Sequence, residues 1–264
     1  MMITLALSAI LAAQSSGPER GSLIVIGGGA LGRDIVERII ELAGGRSAHF
    51  VGVPTAGDPE QFGQDWRGMD FLRKAGCGHI TVLHTRDRGI AESEAFVEPL
   101  KTANAVFFGG GRQWRLVDAY GGTRTEREFA AVLARGGVIA GSSAGASIQA
   151  SFLVRGAREG NQIMMAPDYL RGFGYLRNVA VDQHLLKRKR ENDLLQVVDR
   201  HPHILGIGLD EGTAIVVERN QFEVIGCSMV AIYDHRYRPS PGKPRYFFLT
   251  PGARFDLAGR RVVE

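Results

Sequence analysis

Cysteine is scarce in this sequence, with only Cys77 and Cys227 among 264 residues. Neither belongs to a C-x-x-C pair or to a cluster of cysteine and histidine, which argues against a disulfide framework and against a zinc site. We therefore expect no bound metal. A single disulfide between the two cysteines is left open, because the sequence does not show whether they meet.

A strong charge imbalance is also absent. The chain has 32 lysine and arginine residues and 28 aspartate and glutamate residues, and the formal net charge of +4 is spread along its length. This distribution argues against a nucleic-acid partner. The one basic run, residues 187–190, is followed by leucines and valines at helical spacing up to residue 198, and we interpret it as the start of a helix.

Long apolar runs are missing except near the N-terminus. Residues 3–13 are almost all apolar, and small and polar residues follow at 14–18. The run is too short to span a bilayer and resembles the core of a secretory signal cleaved after Ala13, although no Lys or Arg precedes it. We expect residues 1–20 to be a signal peptide or a disordered N-terminus, and residues 21–264 to form one domain. The protein is then periplasmic or secreted and free of the membrane after cleavage; without a true signal it is cytoplasmic.

Glycine, in contrast, is abundant, with 35 residues. Buried-strand patterns alternate with helical patterns at intervals of 20–30 residues. This alternation predicts an α/β fold of the flavodoxin-like kind, with a predominantly parallel sheet and helices on both faces. Short strands and turns follow residue 215, and we expect them to form a C-terminal antiparallel β appendage on the main sheet. The predicted parallel strands are residues 22–26, 49–53, 80–83, 105–108 and 138–140.

The first glycine-rich corner, residues 27–32, matches the dinucleotide-binding pattern G-x-G-x-x-G. That site also needs an acidic residue at the end of the second strand, where it binds the ribose. Here the second strand ends in Pro-Thr-Ala-Gly at residues 54–57, without an acid. We therefore interpret the corner as a tight strand-to-helix turn and expect no cofactor, with NAD binding as a minor alternative.

Another glycine-rich corner reads G-x-S-x-G, with Ser143 at its centre, after a predicted strand. Helical spacing follows from Ala144 to about Leu153. Such a turn presents its serine at a tight corner at a helix N-terminus, with the hydroxyl exposed. The N–H of Ala144 and the helix dipole would stabilise an oxyanion there. Gly110 and Gly111 follow a neighbouring predicted strand and could donate N–H groups to the same oxyanion.

An activated serine needs a base within hydrogen-bond reach and an acid that orients the base. His184 follows a predicted strand at residues 179–181, and Glu211 follows another at 204–209. Since carboxyl ends of parallel strands share one edge of a sheet, both side chains are expected near Ser143. The three residues form a candidate catalytic triad.

Four motifs occur in one order along the chain. They are FGGGRQ at 108–113, GSSAGA at 141–146, DQHLLKRKR at 182–190 and GIGLDEGTA at 206–214. Together they resemble the cyanophycinases, serine peptidases of the dipeptidase E group on a class I glutamine amidotransferase-like fold. The resemblance covers about residues 21–235. It implies that Ser143 is the nucleophile, His184 the base and Glu211 the acid.

The resemblance also implies a substrate pocket and a substrate class. Cyanophycinases release β-aspartyl-arginine dipeptides from cyanophycin, a polyaspartate with arginine side branches. The expected partner is thus a peptide or polypeptide that contains aspartyl residues. The residues that match the pocket of this family are Gln113, Asp182, Gln183, Arg188 and Arg190.

Two positions depart from the family pattern. The pattern R-x-R-x-x-R ends here in Asp193 instead of arginine, and Arg112 stands where the family has Asn or Asp before the glutamine. Both changes affect the pocket and leave the three candidate catalytic residues intact. The choice among cyanophycin, α-aspartyl dipeptides and other aspartyl peptides therefore stays open, as does a homodimeric state.

Other classes of protein remain as alternatives. An esterase of the α/β-hydrolase type would place its acid between the serine and the histidine, and Asp168 would be that acid. A cysteine-type glutamine amidotransferase is nearly excluded, because no cysteine stands at a corner of this kind. An exported binding protein without chemistry would keep the fold but would not require Ser143, His184 and Glu211 together.

Overall fold

The computed structural model of the protein describes residues 15–263. The apolar run of the predicted signal, residues 3–13, and its cleavage position lie outside the described residues. The chain that follows is fastened to the domain, because the N–H of Ser16 donates to Oδ1 of Asn220 at 2.8 Å and its carbonyl accepts from the N–H of Arg177 at 2.7 Å. Within residues 15–263 no helix is both long enough and apolar enough to cross a membrane.

Strands and helices alternate along the first half of the described chain. The strands are β1 (Ser22–Ile26), β2 (Phe50–Val53), β3 (Ile80–Val82), β4 (Ala105–Phe108), β5 (Val138–Ser142), β6 (Ala150–Phe152), β7 (Leu176–Gln183), β8 (Leu205–Leu209), β9 (Thr213–Glu218), β10 (Gln221–Gly226), β11 (Val230–Tyr233), β12 (Phe247–Leu249), β13 (Arg254–Asp256) and β14 (Arg261–Val263). The helices are α1 (Arg33–Leu42), α2 (Asp70–Lys74), α3 (Arg88–Glu92), α4 (Glu94–Thr102), α5 (Gln113–Tyr120), α6 (Arg124–Ala134), α7 (Ala144–Ser147) and α8 (Leu195–Arg200).

The main sheet contains nine strands of the described chain, in the order β14-β13-β10-β9-β1-β5-β4-β2-β3. Strands β1, β5, β4, β2 and β3 pair in parallel. Strand β9 joins β1 in antiparallel fashion, and β10, β13 and β14 continue the antiparallel half. The predicted α/β fold class, a parallel sheet with a C-terminal antiparallel extension, is confirmed, and the resulting sheet is mixed.

Apolar layers cover both faces of this sheet. In β1 the alternate residues Leu23 and Val25 pack in one core cluster, which includes residues of α5 and α6, while Ile24 and Ile26 pack in another with residues of α1 and α2. All four side chains are fully buried. Because successive residues of a strand point to opposite faces, helices must lie on both sides of β1, as predicted.

A second sheet, which the sequence did not predict, contains β12, β11, β8, β7 and β6 in that order among the described residues. We expected all strands after residue 215 in the appendage of the main sheet, but β11 and β12 belong to this second sheet. Val230 of β11 pairs with Leu209 of β8, whereas β9, which follows the turn after β8, pairs with β1. Alternating apolar residues indicate a strand but do not specify its partner, which is set by contacts distant in sequence.

The helix expected from Ala144 to about Leu153 is much shorter. Helix α7 ends after one turn, and β6 begins at Ala150. The N–H of Leu153 donates to the carbonyl of Leu170 at 2.8 Å, and the carbonyl of Ile148 accepts from the N–H of Phe173 at 2.7 Å. Both partners belong to the segment that follows Pro167–Tyr169. Backbone pairing with this segment replaces helical hydrogen bonds, and a short buried apolar run is compatible with either structure.

The basic segment after His184 is not the start of a helix either. It forms successive turns, and α8 begins only at Leu195. Lys189 has a left-handed backbone with φ of 55°, a conformation that interrupts a right-handed helix. The N–H groups of Leu186 and Lys187 both donate to Oδ1 of Asp210 at 3.0 Å. The carboxylate therefore holds the segment in a turn.

The two cysteines do not form a disulfide, since both are free, with Cys77 buried and Cys227 exposed. A buried thiol reacts slowly with a bulky reagent, whereas an exposed one reacts at once. We expect titration with DTNB, without reductant, to detect one fast-reacting thiol in the native protein and two in denaturant. Fewer than two thiols in the denatured protein would contradict the structure.

Candidate active site

Ser143 occupies a strained corner between β5 and α7. Its φ and ψ are 57° and −112°, a combination that costs about 1–3 kcal/mol and is stable only when surrounding contacts enforce it. The N–H of Ser143 donates to the carbonyl of Ile26 at 3.0 Å. A Cβ on Gly145 would lie 2.1 Å from the carbonyl oxygen of Phe108, and one on Gly141 would lie 2.2 Å from the carbonyl oxygen of Gly145. The glycines of this pentapeptide are thus required by close packing.

The hydroxyl of Ser143 lies against His184, which in turn lies against Glu211. Oγ of Ser143 is 2.9 Å from Nε2 of His184, and Nδ1 of His184 is 2.6 Å from Oε1 of Glu211. A carboxylate only accepts, so Nδ1 carries the proton and Nε2 presents its lone pair to the serine hydroxyl. The three residues predicted from the sequence therefore form one continuous chain of hydrogen bonds.

The environment of His184 favours the neutral imidazole. Burial lowers the pKa of His184 below its ordinary 6.5, and the charges of Arg188 and Arg190 lower it further. The hydrogen bond that His184 donates to Glu211 raises the pKa, but by less than the burial lowers it. A neutral imidazole at neutral pH can accept a proton from the serine hydroxyl.

The first glycine-rich corner packs directly on this arrangement. A Cβ on Gly28, whose φ is 118°, would lie 2.3 Å from Cε1 of His184, and a Cβ on Gly29, whose φ is 71°, would lie 2.9 Å from Cβ of Glu211. The carbonyl of Gly27 accepts from the N–H of His184 at 2.8 Å. The G-x-G-x-x-G pattern therefore supports the histidine and the glutamate. Sequence reasoning missed this role, because the motif is equally typical of a nucleotide site.

Asp210 is a second residue whose role the sequence did not reveal. It is buried, its Oδ1 accepts the N–H groups of Leu186 and Lys187, and its Oδ2 accepts from the hydroxyl of Ser228 at 2.8 Å. These bonds hold the turn directly after His184. The only signal in the sequence was its position next to Glu211.

The candidate oxyanion donors surround Ser143 to different degrees. A Cβ on Gly110 would lie 3.4 Å from Cβ of Ser143 and 3.8 Å from its Oγ, so the Gly110 backbone borders the serine. Gly111, with φ of 138°, lies against the Ala56 carbonyl. Among residues 15–263 no acceptor pairs with the N–H groups of Gly110, Gly111 or Ala144, which leaves them free to bind a ligand oxygen.

The five predicted pocket residues do not form one uniform surface. Gln113 is buried and donates to the carbonyl of Val154 at 2.7 Å. Arg190 is also buried and donates to the carbonyl oxygen and to Oε1 of Gln183 at 2.9 and 3.1 Å. Asp182 is fully buried, whereas Arg188 is exposed. Asp182, Gln183 and Arg190 thus meet beside His184, and Gln113 stabilises a neighbouring segment.

Arg190 carries a charge that is only partly neutralised. Its nearest carboxylate oxygen in the described chain, Oδ1 of Asp182, is 3.8 Å away. Burial and the charge of Arg155 lower its pKa to about 10. A buried guanidinium without a close carboxylate favours the binding of an anionic ligand group.

Asp168 does not contact His184. It is exposed in a 3-10 turn at Pro167–Tyr169, whereas Nδ1 of His184 is bonded to Glu211. Asp168 instead borders a groove of about 690 Å³, which contains none of the three hydrogen-bonded residues. The acid that an α/β-hydrolase would require is therefore not in position. Nor does any group of three or more His, Cys, Asp or Glu side chains in residues 15–263 have an arrangement that could hold a metal ion.

A serine at a strained strand-to-helix corner, hydrogen-bonded to a histidine that a carboxylate orients, is the arrangement found in serine hydrolases. The sequence matches peptidase family S51 over residues 23–225. The chain belongs to this family and is a hydrolase, a serine-type peptidase.

Curated relatives and solved structures agree with this family. The chain is 33% identical over 222 residues to a cyanophycinase from Geminocystis herdmanii, and the match covers 81% of this chain and 81% of the relative. It is 32% identical over 265 residues to a cyanophycinase from a Nostoc species, which covers 92% of this chain and 87% of the relative. A crystal structure of a peptidase from an acI-B1 actinobacterium is 25% identical with a TM-score of 0.70 and covers 91% of this chain and 98% of its own.

A more distant structure supports the fold alone. A putative peptidase E protein from Listeria monocytogenes has a TM-score of 0.56 at 16% identity, over 79% of this chain and 99% of its own.

The packing of Gly28 on His184 leads to a test with a matched control. Gly28→Ala should push the imidazole away from Ser143 and lower kcat by about 100-fold or more, since small displacements of catalytic groups have large effects on rate. Gly44→Ala introduces the same change at φ of 99°, but with no neighbour within 4 Å, and should retain activity. Peptidase assays with circular dichroism of both variants provide the measurement. Equal activity of the two variants would contradict the supporting role of Gly28.

Proposed function

We propose that Ser143 attacks the carbonyl carbon of a peptide or isopeptide bond at an aspartyl residue. His184 takes the proton from the serine hydroxyl through Nε2 and returns it to the leaving amine, while Glu211 holds the imidazole in the required tautomer. The resulting acyl-enzyme is hydrolysed by water, which His184 deprotonates in the same way.

One observation carries this proposal, the hydrogen-bonded chain from Ser143 through His184 to Glu211 at 2.9 and 2.6 Å. A serine hydroxyl is a weak nucleophile unless an adjacent base is aligned with it. Here burial favours the neutral base by lowering its pKa, and the serine hydroxyl at the strained corner lies 2.9 Å from that base. These features have no evident use in a protein that only binds its ligand.

The oxyanion formed by this attack would accept hydrogen bonds from Ala144 and from Gly110 and Gly111. The support for Ala144 is its position as the first residue of α7, with a free N–H. The support for Gly110 is the short distance from its backbone to Ser143. Backbone donors of this kind commonly contribute about 100- to 1000-fold to the rate.

We assign recognition of the aspartyl substrate to Arg188 and Arg190, with Gln113, Asp182 and Gln183 shaping the surrounding wall. A guanidinium suits a carboxylate. Arg190 is buried, donates to the carbonyl of Gln183 next to His184, and has its nearest carboxylate oxygen, on Asp182, at 3.8 Å. The cyanophycinase relatives make the release of β-aspartyl-arginine dipeptides from cyanophycin the first reaction to assay, and α-aspartyl dipeptides the second. Export of the protein is a further proposal, which depends on residues 3–13 alone.

The nucleophile is tested by Ser143→Ala, with Ser142→Ala as the matched control at the neighbouring residue. The first variant should lower kcat on β-aspartyl or α-aspartyl peptides by at least about 1000-fold, because no other group can form the acyl-enzyme. The second should retain activity, since its side chain makes no hydrogen bond in the described chain. Product release followed by liquid chromatography measures both, and an active Ser143→Ala enzyme would rule out this nucleophile.

The base is tested by the pH dependence of kcat/KM. The reaction needs neutral His184, so activity should fall on acidification with a midpoint below 6.5, because burial lowers the pKa. Arg188→Gln removes a positive charge that disfavours the imidazolium, so the midpoint should move to higher pH. Arg200→Gln, an exposed site on α8, should leave it unchanged. A midpoint that stays in place or moves down in Arg188→Gln would contradict the assignment of His184 as the base.

A further inference from the structure

A buried ion cluster beside the site is centred on Arg155, which no motif identified. Arg155 is only 1% exposed and has a left-handed backbone with φ of 56°. Its Nε and Nη2 donate to the two carboxylate oxygens of Asp182 at 2.7 and 2.8 Å, and Nη1 donates to the carbonyl of Asn161 at 2.7 Å. Each nitrogen of this guanidinium already donates a hydrogen bond within the protein.

This arrangement occupies Asp182 completely. Oδ1 accepts from Arg155 and from the N–H of Gln183 at 2.9 Å, and Oδ2 accepts from Arg155. The side chain is fully buried. Asp182 therefore offers no oxygen to a cationic group of a substrate, and its charge is balanced internally by Arg155.

Asp193 differs from Asp182 in this respect. Its Oδ2 accepts from Nη2 of Arg155 at 2.6 Å. Its Oδ1 accepts no hydrogen bond from residues 15–263, and its side chain is 38% exposed. Asp193 therefore keeps one carboxylate oxygen free, while Arg155 fixes the orientation of the other.

Asp193 and Arg190 belong to the same turn. The N–H of Asp193 donates to the carbonyl of Arg190 at 3.0 Å, and the charge of Asp193 raises the pKa of Arg190 against the larger effect of burial. Arg190 also acts on His184, whose pKa it lowers. Nη1 of Arg190 donates to the carbonyl of Gln183, the residue before His184, at 2.9 Å. The turn that follows the histidine therefore carries both a partly neutralised cation and a carboxylate with one free oxygen.

We propose that Asp193, oriented by Arg155, is a specificity-determining residue that binds a cationic group of the substrate beside the carboxylate held by Arg190. This inference rests on the proposed function, because it assumes that aspartyl peptides occupy this site. An arginine at position 193 would instead add a positive charge and favour a second substrate carboxylate. The cation is either the α-ammonium group of a free amino terminus or the guanidinium group of an arginine residue.

A set of three peptides separates the two cations. The first is a β-aspartyl-arginine peptide with a free α-amino group, the second is its N-acetyl derivative, and the third carries citrulline in place of arginine. Binding is measured by calorimetry to Ser143→Ala protein, so the readout does not depend on turnover. We expect loss of the relevant cation to weaken binding about tenfold, as for one charge-assisted hydrogen bond.

The discriminating variant is Asp193→Asn in the Ser143→Ala background. Asparagine keeps the shape and can still accept from Arg155, so only the charge is lost. We expect this variant to bind the first peptide about tenfold more weakly and to bind the peptide without the relevant cation as the parent does. The discrimination between the two peptides should disappear, and Asp193→Glu should restore part of it.

Asp199→Asn is the matched control, since Asp199 is an exposed acid paired with Arg245 on another part of the surface, and it should change none of the three affinities. The inference is overturned if the parent protein binds all three peptides equally, or if Asp193→Asn weakens all three by the same factor. Because affinity is measured separately from hydrolysis, these outcomes differ from failure of the proposed function, which would appear as full activity of Ser143→Ala.

Discussion

The imidazole of His184 is the point on which the other parts of the site depend. Its ring contacts the hydroxyl of Ser143 on one side and the carboxylate of Glu211 on the other, while Gly28 leaves no room for a side chain against its Cε1 atom. Its own backbone is left-handed, with φ of 55°. Three segments from separate strands of two sheets must therefore reach their final positions before the ring is aligned. The site can therefore form only when both sheets have folded correctly.

The protonation state of His184 also depends on the close packing around its ring. Burial disfavours the imidazolium, and the arginines of the following turn add to this effect, so the pKa of His184 lies below its usual value. The turn is held by Asp210, and the buried charges of Arg155 and Asp182 neutralise each other. Arg190 keeps a longer contact with Asp182, at 3.8 Å, and Asp193 keeps one oxygen without a hydrogen bond from residues 15–263. The substrate recognition that we propose would use these two groups, while the pair of Arg155 and Asp182 stabilises the structure.

Much of the site could be predicted because its residues follow strands. Ser143, His184 and Glu211 each stand just after an apolar run. Only His184 and Glu211 share one sheet edge, because they follow the parallel strands β7 and β8, whereas Ser143 follows β5 of the main sheet. The second sheet could not be predicted, since the pairing of β11 with β8 depends on partners far apart in sequence. Arg155 was missed because it lies outside any periodic segment, and only the fold shows that it is buried. The glycines at 28 and 29 were recognised as a turn, but the side chains they accommodate are about 150 and 180 residues away.

The most direct test of this account is covalent labelling of the native protein with a fluorophosphonate, followed by mass spectrometry of its peptides. Such probes react only with a serine that an aligned base has activated. We expect a single label on Ser143, and loss of that label in His184→Ala and in Gly28→Ala, with both variants still folded. A label on another serine, or an unlabelled Ser143 in a protein that hydrolyses aspartyl peptides, would contradict this account.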